Sequence, residues 1–436
     1  MSILQRAVPM ADLRATIRLA LPLIAGQLAI FGQHLIDVML AGHLGTQVLG
    51  AVAVGTNIWS LPVMATVGMM MAMPPSVAQL DGAGRRGETA ALFRQSVWLA
   101  IMLGAVLQQV AWWGGPMLAG MIGLEPALVA EVVAFLRPIS FEAPALGLFC
   151  ACRGLTDGLG WPRVSLGFGM LGLVLLLPVA WMLMYGKFGL PALGAQGSGL
   201  ATALVVWVQA LAYLAYVRFS PRTRALGWGR GHRGPDWLVI GALLHLGVPM
   251  SISVLLEVGL FSAVALVIGG FGAAAIGAHQ IALSVAGATF MVPLGLSMAI
   301  TVRVGNAVGR GDPRGVRRAG LVGIGLAGIT QSLACLLMLL MPRNIASLYT
   351  ADPALLDGAV ALLFLAALFQ LSDGIQVASA GALRGLKDTR MPMVITLVAY
   401  WGAGMPLGWL LCFTTGLGVR GMWMGLVAGL SCAAVL

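Results

Sequence analysis

Long apolar runs alternate with short polar connections along the whole chain of 436 residues. Each run is close to the roughly 20 residues that a helix needs to cross the hydrocarbon of a bilayer. The pattern predicts about twelve spans. In the first half these are Ile17–Ala41, Val48–Met73, Leu92–Leu118, Leu128–Cys152, Val164–Tyr185 and Ser198–Phe219. In the second half they are Trp237–Gly269, Ala275–Val302, Gly315–Leu340, Ala354–Leu383, Met393–Phe413 and Val419–Leu436. The expected fold is therefore an all-α polytopic membrane protein. Arg6, Arg14 and Arg18 precede a first run too long for a signal-peptide core, so that run reads as an uncleaved span. The last run stops with the chain and lacks a polar flank, which predicts a polar tail beyond it.

The two halves echo each other. Pro22 and Pro249 lie 227 positions apart, as do Gly45 and Gly272. Arg153-Gly154-Leu155 recurs as Arg384-Gly385-Leu386 after 231 positions, and Leu193-Gly194 as Leu417-Gly418 after 224. An even number of spans separates equivalents, so orientation is kept and the repeat is parallel, six helices plus six. The predicted division is 1–219 for an N-terminal bundle, 220–236 for a basic connector and 237–436 for a C-terminal bundle. Gly404–Gly408 and Gly421–Gly425–Gly429 are small-xxx-small spacings, expected to serve close packing within a bundle.

Composition agrees with this pattern. Hydrophobic residues make up 59% and charged residues only 9%, where soluble domains carry about 25% charged; mean hydropathy is +0.95. The net charge of +10 comes from short clusters between apolar runs. Of the 25 Lys and Arg residues, all but Arg137, Lys187, Arg343 and Arg420 fall on one predicted side, which places both termini in the cytoplasm. No polar domain exists to carry a basic face with stacking aromatics, which excludes a nucleic-acid partner. The five cysteines show no C-x-x-C spacing and read as small core residues.

Four carboxylates fall inside predicted spans: Asp37, Glu142, Glu257 and Asp373. A charge at that depth is expensive, and such residues mark ion or substrate pathways or pair with buried cations. Candidate cations inside the spans are Arg137, His34, His245 and His279, too few to serve four acids. Glu257, Asp373 and Asp37 therefore read as cation-coupling residues. Glu142 follows Arg137 closely on the same predicted helix and reads as its ion-pair partner, although it is also the repeat counterpart of Asp373. Polar and aromatic neighbours of the acids are candidates for a substrate cavity: Gln33, His34, Ser253, Phe369, Gln370, Gln376, His279 and Gln280, with Glu142 itself. His43 reads as a loop residue. An intramembrane carboxylate can hold a proton or coordinate a metal cation. If a lipophilic organic cation competes for it, mutual exclusion is the minimum chemistry of an antiporter.

Enzyme chemistry finds no footing. The sequence has no H-E-x-x-H, no G-x-S-x-G elbow and no Walker loop. No cofactor is implied; the coupling ion is H⁺ or Na⁺.

These residues resemble the multidrug and toxic compound extrusion (MATE) transporters, in their NorM-like bacterial branch. The stretches that carry the resemblance are LPLIAGQLAIFGQHLIDVMLAGHLG, FCACRGLTDGLGWPRV, YGKFGLPALGAQGSGLATA, GVPMSISVLLE, GAHQIA and LRGLKDTRMPM, in order along nearly the whole chain. The resemblance implies export of hydrophobic cationic drugs across the bacterial inner membrane, driven by inward H⁺ or Na⁺. It maps the family's acids onto Asp37, Glu257 and Asp373, the last two as the cation site of the C-terminal bundle and as metal ligands if the ion is Na⁺. Two departures are Glu142, where the family has no expected acid, and Phe369, which offers no oxygen one turn before Asp373 and so tilts the expectation towards H⁺. Expected partners are small-molecule cations and the lipid bilayer, with a monomeric protein. The alternatives are a flippase for lipid-linked precursors and a membrane-embedded lipid enzyme. The first should show a more basic cavity, the second clustered catalytic residues at one membrane face.

Overall fold

The computed structural model describes residues 10–121, 125–228 and 234–436, and every regular element among them is helical. Arg6, Arg230 and Arg233 of the basic clusters lie outside the described residues. The first half contains α1 (Met10–Leu44), α2 (Thr46–Met70), α3 (Met73–Gly82), α4 (Thr89–Met121), α5 (Pro126–Ser140), α6 (Glu142–Gly158), α7 (Pro162–Tyr185) and α8 (Gly194–Phe219). The second contains α9 (Trp237–Gly269), α10 (Ala273–Gly309), α11 (Pro313–Leu340), α12 (Pro342–Ser347), α13 (Pro353–Gly385), α14 (Arg390–Thr396), α15 (Met405–Phe413) and α16 (Val419–Val435). Ten described helical stretches are long and apolar enough to cross a membrane, eleven when α5 and α6 count as one bent span. The shorter apolar α16 completes the dozen that hydropathy predicts.

Local chemistry sets the ends of these elements. Proline at the first helical position starts α5, α7, α11, α12 and α13, where a missing N–H costs nothing. Asp312 caps α11 through Gly315 N at 2.9 Å, and Asp352 caps α13 through Ala354 N at 3.0 Å. Gly45 (φ 123°) and Gly272 (φ 101°), which enter α2 and α10, adopt backbone angles that favour glycine. Their matching positions show the duplication in the backbone itself.

Three local features differ from the hydropathy reading. The run Leu128–Cys152 is broken at Phe141, and its two helices are bent by 42°. Pro144 explains the break: it has no N–H for the Ser140 carbonyl, and its ring clashes there. The run Met393–Phe413 contains a π-helical segment, Leu397–Gly404, between α14 and α15. His43 is not in a loop. It lies in the last turn of α1, with Nδ1 2.8 Å from the Met39 carbonyl oxygen.

The chain divides into two compact units. The N-unit is Leu28–Ser251; the C-unit joins Met1–Gln27 to Ile252–Leu436. The chain thus passes between units in the middle of α1 and the middle of α9, within continuous helices. In the N-unit, the start of α9 packs on α2, where a Cβ on Gly68 would sit 2.5 Å from Ser251 Cα. In the C-unit, the start of α1 packs on α10, where a Cβ on Gly295 would sit 2.7 Å from Ile24 N. Gly68 and Gly295 are 227 positions apart, and so are Ile24 and Ser251. The same close contact is built twice. In the C-unit it is reinforced by Arg303, which donates to Asp12 Oδ1 at 2.5 Å, to the Asp12 carbonyl at 2.9 Å and to the Thr16 hydroxyl.

Each unit has its own core. In the C-unit Leu260, Ile268, Ala282, Phe369, Tyr400 and Trp423 are buried together, and Ala20 and Leu23 of α1 join Leu296 and Ile300 of α10. Gly404, at the end of the π-helical segment, and Gly408 of α15 meet Gly425 and Gly429 of α16 in backbone contact, as expected of packing within a bundle. The N-unit buries Met73, Phe149, Leu155 and Tyr213 in one cluster and Trp59, Phe135, Leu136 and Met184 in another.

Gly68→Leu and Gly295→Leu should each lower the thermal midpoint of the detergent-solubilised protein, at a cost of about 1–3 kcal/mol from overpacking. Gly287→Ala, in α10 with open space around its Cβ position, should leave the midpoint unchanged or raise it slightly.

Candidate cation sites

The C-unit gathers the chemistry read from the second half of the sequence. Glu257 comes from α9 and Asp373 from α13. Asp373 is buried at 5% exposure, and Glu257 is half-buried. The two carboxylates act on each other electrostatically. Two further side chains belong to the site. Tyr400, on the π-helical segment, is fully buried, interacts with both carboxylates and donates its hydroxyl to Gln376 Oε1 at 2.9 Å. Arg384, in the last turn of α13, acts electrostatically on Glu257 without closing an ion pair among the described residues. The π turn is anchored by its next residue, Trp401, whose indole donates to the Leu256 carbonyl at 3.0 Å, beside Glu257. π turns occur often at functional sites, and this one sets a phenol among the acids.

The remaining C-unit candidates separate into neighbours and packing residues. Gln376 touches the site through Tyr400. Gln370 is fully buried in an amide network, accepting from Gln331 Nε2 at 3.0 Å and donating to the Thr289 hydroxyl. His279 is buried, and its Nδ1 accepts from Trp423 Nε1 at 3.2 Å, so it makes a helix contact. Phe369 stacks on the Trp423 ring with centroids 5.7 Å apart. Ser253 is half-buried on α9, one turn before Glu257, and Gln280 is exposed. Tyr400 is the tyrosine near the two carboxylates, and it comes from the π-helical segment and not from the Phe369 position.

The N-unit holds the other two acids. Asp37 of α1 accepts from the Thr202 hydroxyl of α8 at 3.3 Å. Glu142, at the start of α6 and 8% exposed, accepts from Trp59 Nε1 of α2 at 3.0 Å. The expected Glu142–Arg137 pair does not form. Arg137 lies over the Trp112 ring, 5.5 Å from its centroid. The two residues are five positions apart, about 140° around an ideal helix, so closeness in sequence does not put them on one face, and the break at Phe141 separates them further. Gln33 donates to the Gly169 carbonyl of α7 at 3.3 Å, and His34 is exposed. Among the described residues no three His, Cys, Asp or Glu side chains gather as a metal site.

Tyr400 and Arg384 were not singled out in the sequence. A lone tyrosine in an apolar run reads as core, and Arg384 reads as a loop cation. The signal available for both was their spacing: Arg384 lies three helical turns beyond Asp373, and Tyr400 lies on the run that follows.

A duplicated, all-helical chain with carboxylates held inside its spans has the build of a secondary transporter. The MatE family model matches residues 22–182 and 249–410, two stretches that begin 227 positions apart, and the chain belongs to this family of MATE transporters. It falls in the NorM-like branch. It is 45% identical over 428 residues to the probable multidrug resistance protein NorM of Xanthomonas campestris pv. campestris, covering 98% of this chain and 93% of that one. It is 39% identical to the multidrug resistance protein PmpM of Pseudomonas aeruginosa, covering 98% and 90%. The fold also matches solved structures at 20% identity. One is the eukaryotic MATE transporter AtDTX14 (TM-score 0.87, covering 98% and 94%). Another is a MOP superfamily transporter from Pyrococcus furiosus (TM-score 0.88, covering 97% and 94%).

Trp59→Phe removes the indole hydrogen bond to Glu142 and should destabilise the protein by about 1–3 kcal/mol. Arg137→Gln loses a single cation–π contact and should cost less than about 1 kcal/mol. Thermal unfolding in detergent checks both, and a larger loss in the Arg137 variant would reinstate the ion pair with Glu142.

Proposed function

We propose that the protein is a multidrug antiporter of the bacterial inner membrane. It exports hydrophobic organic cations in exchange for inward H⁺ or Na⁺ by alternating access, with both termini in the cytoplasm. The observation that carries this reading is the C-unit site, where Glu257 and Asp373 share an apolar surround with the Arg384 guanidinium and, among the described residues, neither closes an ion pair. Two acids against one cation leave room for one more positive charge. Occupation by a small coupling ion and occupation by a drug cation then exclude each other. The multidrug resistance names of the Xanthomonas and Pseudomonas relatives support the same substrate class.

In this mechanism Glu257 and Asp373 take up the coupling ion. The Tyr400 hydroxyl, held by Gln376, supplies a neutral oxygen beside them. Arg384 compensates part of the charge when the site is empty of other cations. Asp37 serves cation coupling or drug contact in the N-unit.

The test is efflux of a fluorescent lipophilic cation from proteoliposomes under an imposed Na⁺ gradient and, separately, an imposed pH gradient. Transport should follow one gradient and identify the ion. Glu257→Gln and Asp373→Asn should each abolish gradient-driven efflux while the protein stays folded and monodisperse. Tyr400→Phe should weaken apparent affinity for the coupling ion roughly fivefold, the factor corresponding to about 1 kcal/mol for one hydrogen bond. Wild-type efflux in both acid variants would reject the assigned roles. Transport under neither gradient would move a lipid-precursor flippase to the front.

A further inference from the structure

Equivalent places in the two units treat their cations differently. In the N-unit, the loop before α4 carries Arg85 and Arg86, and an acid answers each: Arg85 donates to Glu88 at 2.6 Å, and Arg86 to Asp81. At the equivalent place in the C-unit, the first turns of α11 carry Arg314, Arg317 and Arg318, all exposed. Asp312 is the acid beside them, and its Oδ1 is taken by the helix cap at Gly315 N. Two more exposed arginines, Arg14 and Arg18, lie on the opening half of α1, whose Asp12 is held by Arg303. None of these five arginines has an ion pair among the described residues.

The fold brings all five to one end of the C-unit. α1 and α11 share an apolar cluster with α10, to which α1 contributes Leu19, Ala20 and Leu23 and α11 contributes Val316 and Ala319. Consecutive turns of α10 set the level. Arg303 reaches Asp12 of α1, and a Cβ on Gly315 of α11 would sit 3.3 Å from Ala307 Cβ. The duplication does not account for these cations. At the offset of 227 positions, Arg314, Arg317 and Arg318 correspond to Gly87, Ala90 and Ala91, and Arg14 and Arg18 to Gly241 and His245.

Further along both helices the exposed face turns apolar. On α1, Leu21 follows Arg18 by one turn and is 61% exposed. On α11, Leu321, Ile329 and Leu333 are 56%, 69% and 68% exposed, on one stripe with Arg317 at steps of four residues. Leu321 to Ile329 spans about 12 Å, close to the roughly 15 Å of one hydrocarbon leaflet. A guanidinium fork matches the oxygens of a phosphate, and basic clusters beside a span attract anionic lipid. A ligand that uses both parts of this surface has an anionic head for the arginines and an acyl chain for the stripe. A soluble anion would use only the first.

We propose that this end of the C-unit is a binding surface for anionic phospholipid, with headgroup phosphates at Arg14, Arg18, Arg314, Arg317 and Arg318 and an acyl chain along Leu321 and Ile329. Bound lipid joins the opening half of α1 to α11 and so strengthens the attachment of α1 to this unit. In the orientation proposed above, the lipid belongs to the cytoplasmic leaflet. The inference goes beyond the antiport reading and does not rest on it.

The test is thermal unfolding of the full-length protein in detergent with added phosphatidylglycerol, with phosphatidylcholine of the same chains, or with glycerol phosphate. Phosphatidylglycerol should raise the midpoint by roughly 2–4 °C, and the other two should not. The rise should be largely lost in Arg314→Gln/Arg317→Gln/Arg318→Gln and reduced in Arg14→Gln/Arg18→Gln. It should persist in Arg222→Gln/Arg224→Gln, which removes exposed charge from the connector of the N-unit. The midpoint of each variant without lipid shows that it is folded. An equal rise with phosphatidylcholine, a rise with glycerol phosphate alone, or a rise that survives both C-unit variants overturns the proposal. An equal loss in the connector variant makes the effect one of general charge and overturns it too. Failure of the antiport reading would appear in the proteoliposome flux instead and would leave these midpoints unchanged.

Discussion

The structure depends on the cost of holding charge away from water. Four acids sit inside apolar helices, and the chain meets that cost with neutral donors in place of ammonium or guanidinium partners. Glu142 has an indole, Asp37 a hydroxyl, and Asp373 a phenol–amide pair beside it. Arg137 lies on an aromatic face, and Arg384, at a helix end, acts on Glu257 without an ion pair among the described residues. The difference matters. Breaking a buried ion pair is costly because it strands a charge, so an acid locked to arginine would exchange ligands poorly. Neutral donors orient a carboxyl without neutralising it, and under the proposed function that leaves it available to a mobile cation.

Close approach between helices is the second constraint. Lipid tails are as apolar as leucine, so packing contacts and not water exclusion hold spans together. Glycine is placed accordingly, with Gly408 and Gly425 separating α15 from α16 by little more than backbone thickness. The same logic fixes Gly154 against Met73 in the N-unit and Gly385 against Val304 in the C-unit, contacts that again recur after 231 positions.

Much of this was legible in the residues. Hydropathy located the spans well, and α9 has the bounds Trp237–Gly269 that the apolar run predicts. The acids stood out because a carboxylate has few innocent reasons to lie in an apolar run. What could not be read was anything that depends on helix rotation. Arg137 and Glu142 are close in sequence, but rotation around the helix and the bend at Phe141 turn them apart, and Arg137 lies on the Trp112 ring. Tyr400 joins the acids because the π turn changes which face it presents, and the apolar periodicity barely registers one wide turn. The passage of α1 and α9 from one unit to the other is equally silent, because both halves of each helix are apolar.

The paired contacts at Gly68 and Gly295 bear on the history of the chain. Each unit is completed by the opening half of a helix from the other repeat. A chain of half this length could not fill its own groove: its second helix would present a bare glycine surface, and its first would have nowhere of its own to pack. Two identical copies exchanging those opening segments would close both at once. The full-length protein thus has the connectivity of two half-length copies that exchange their opening segments.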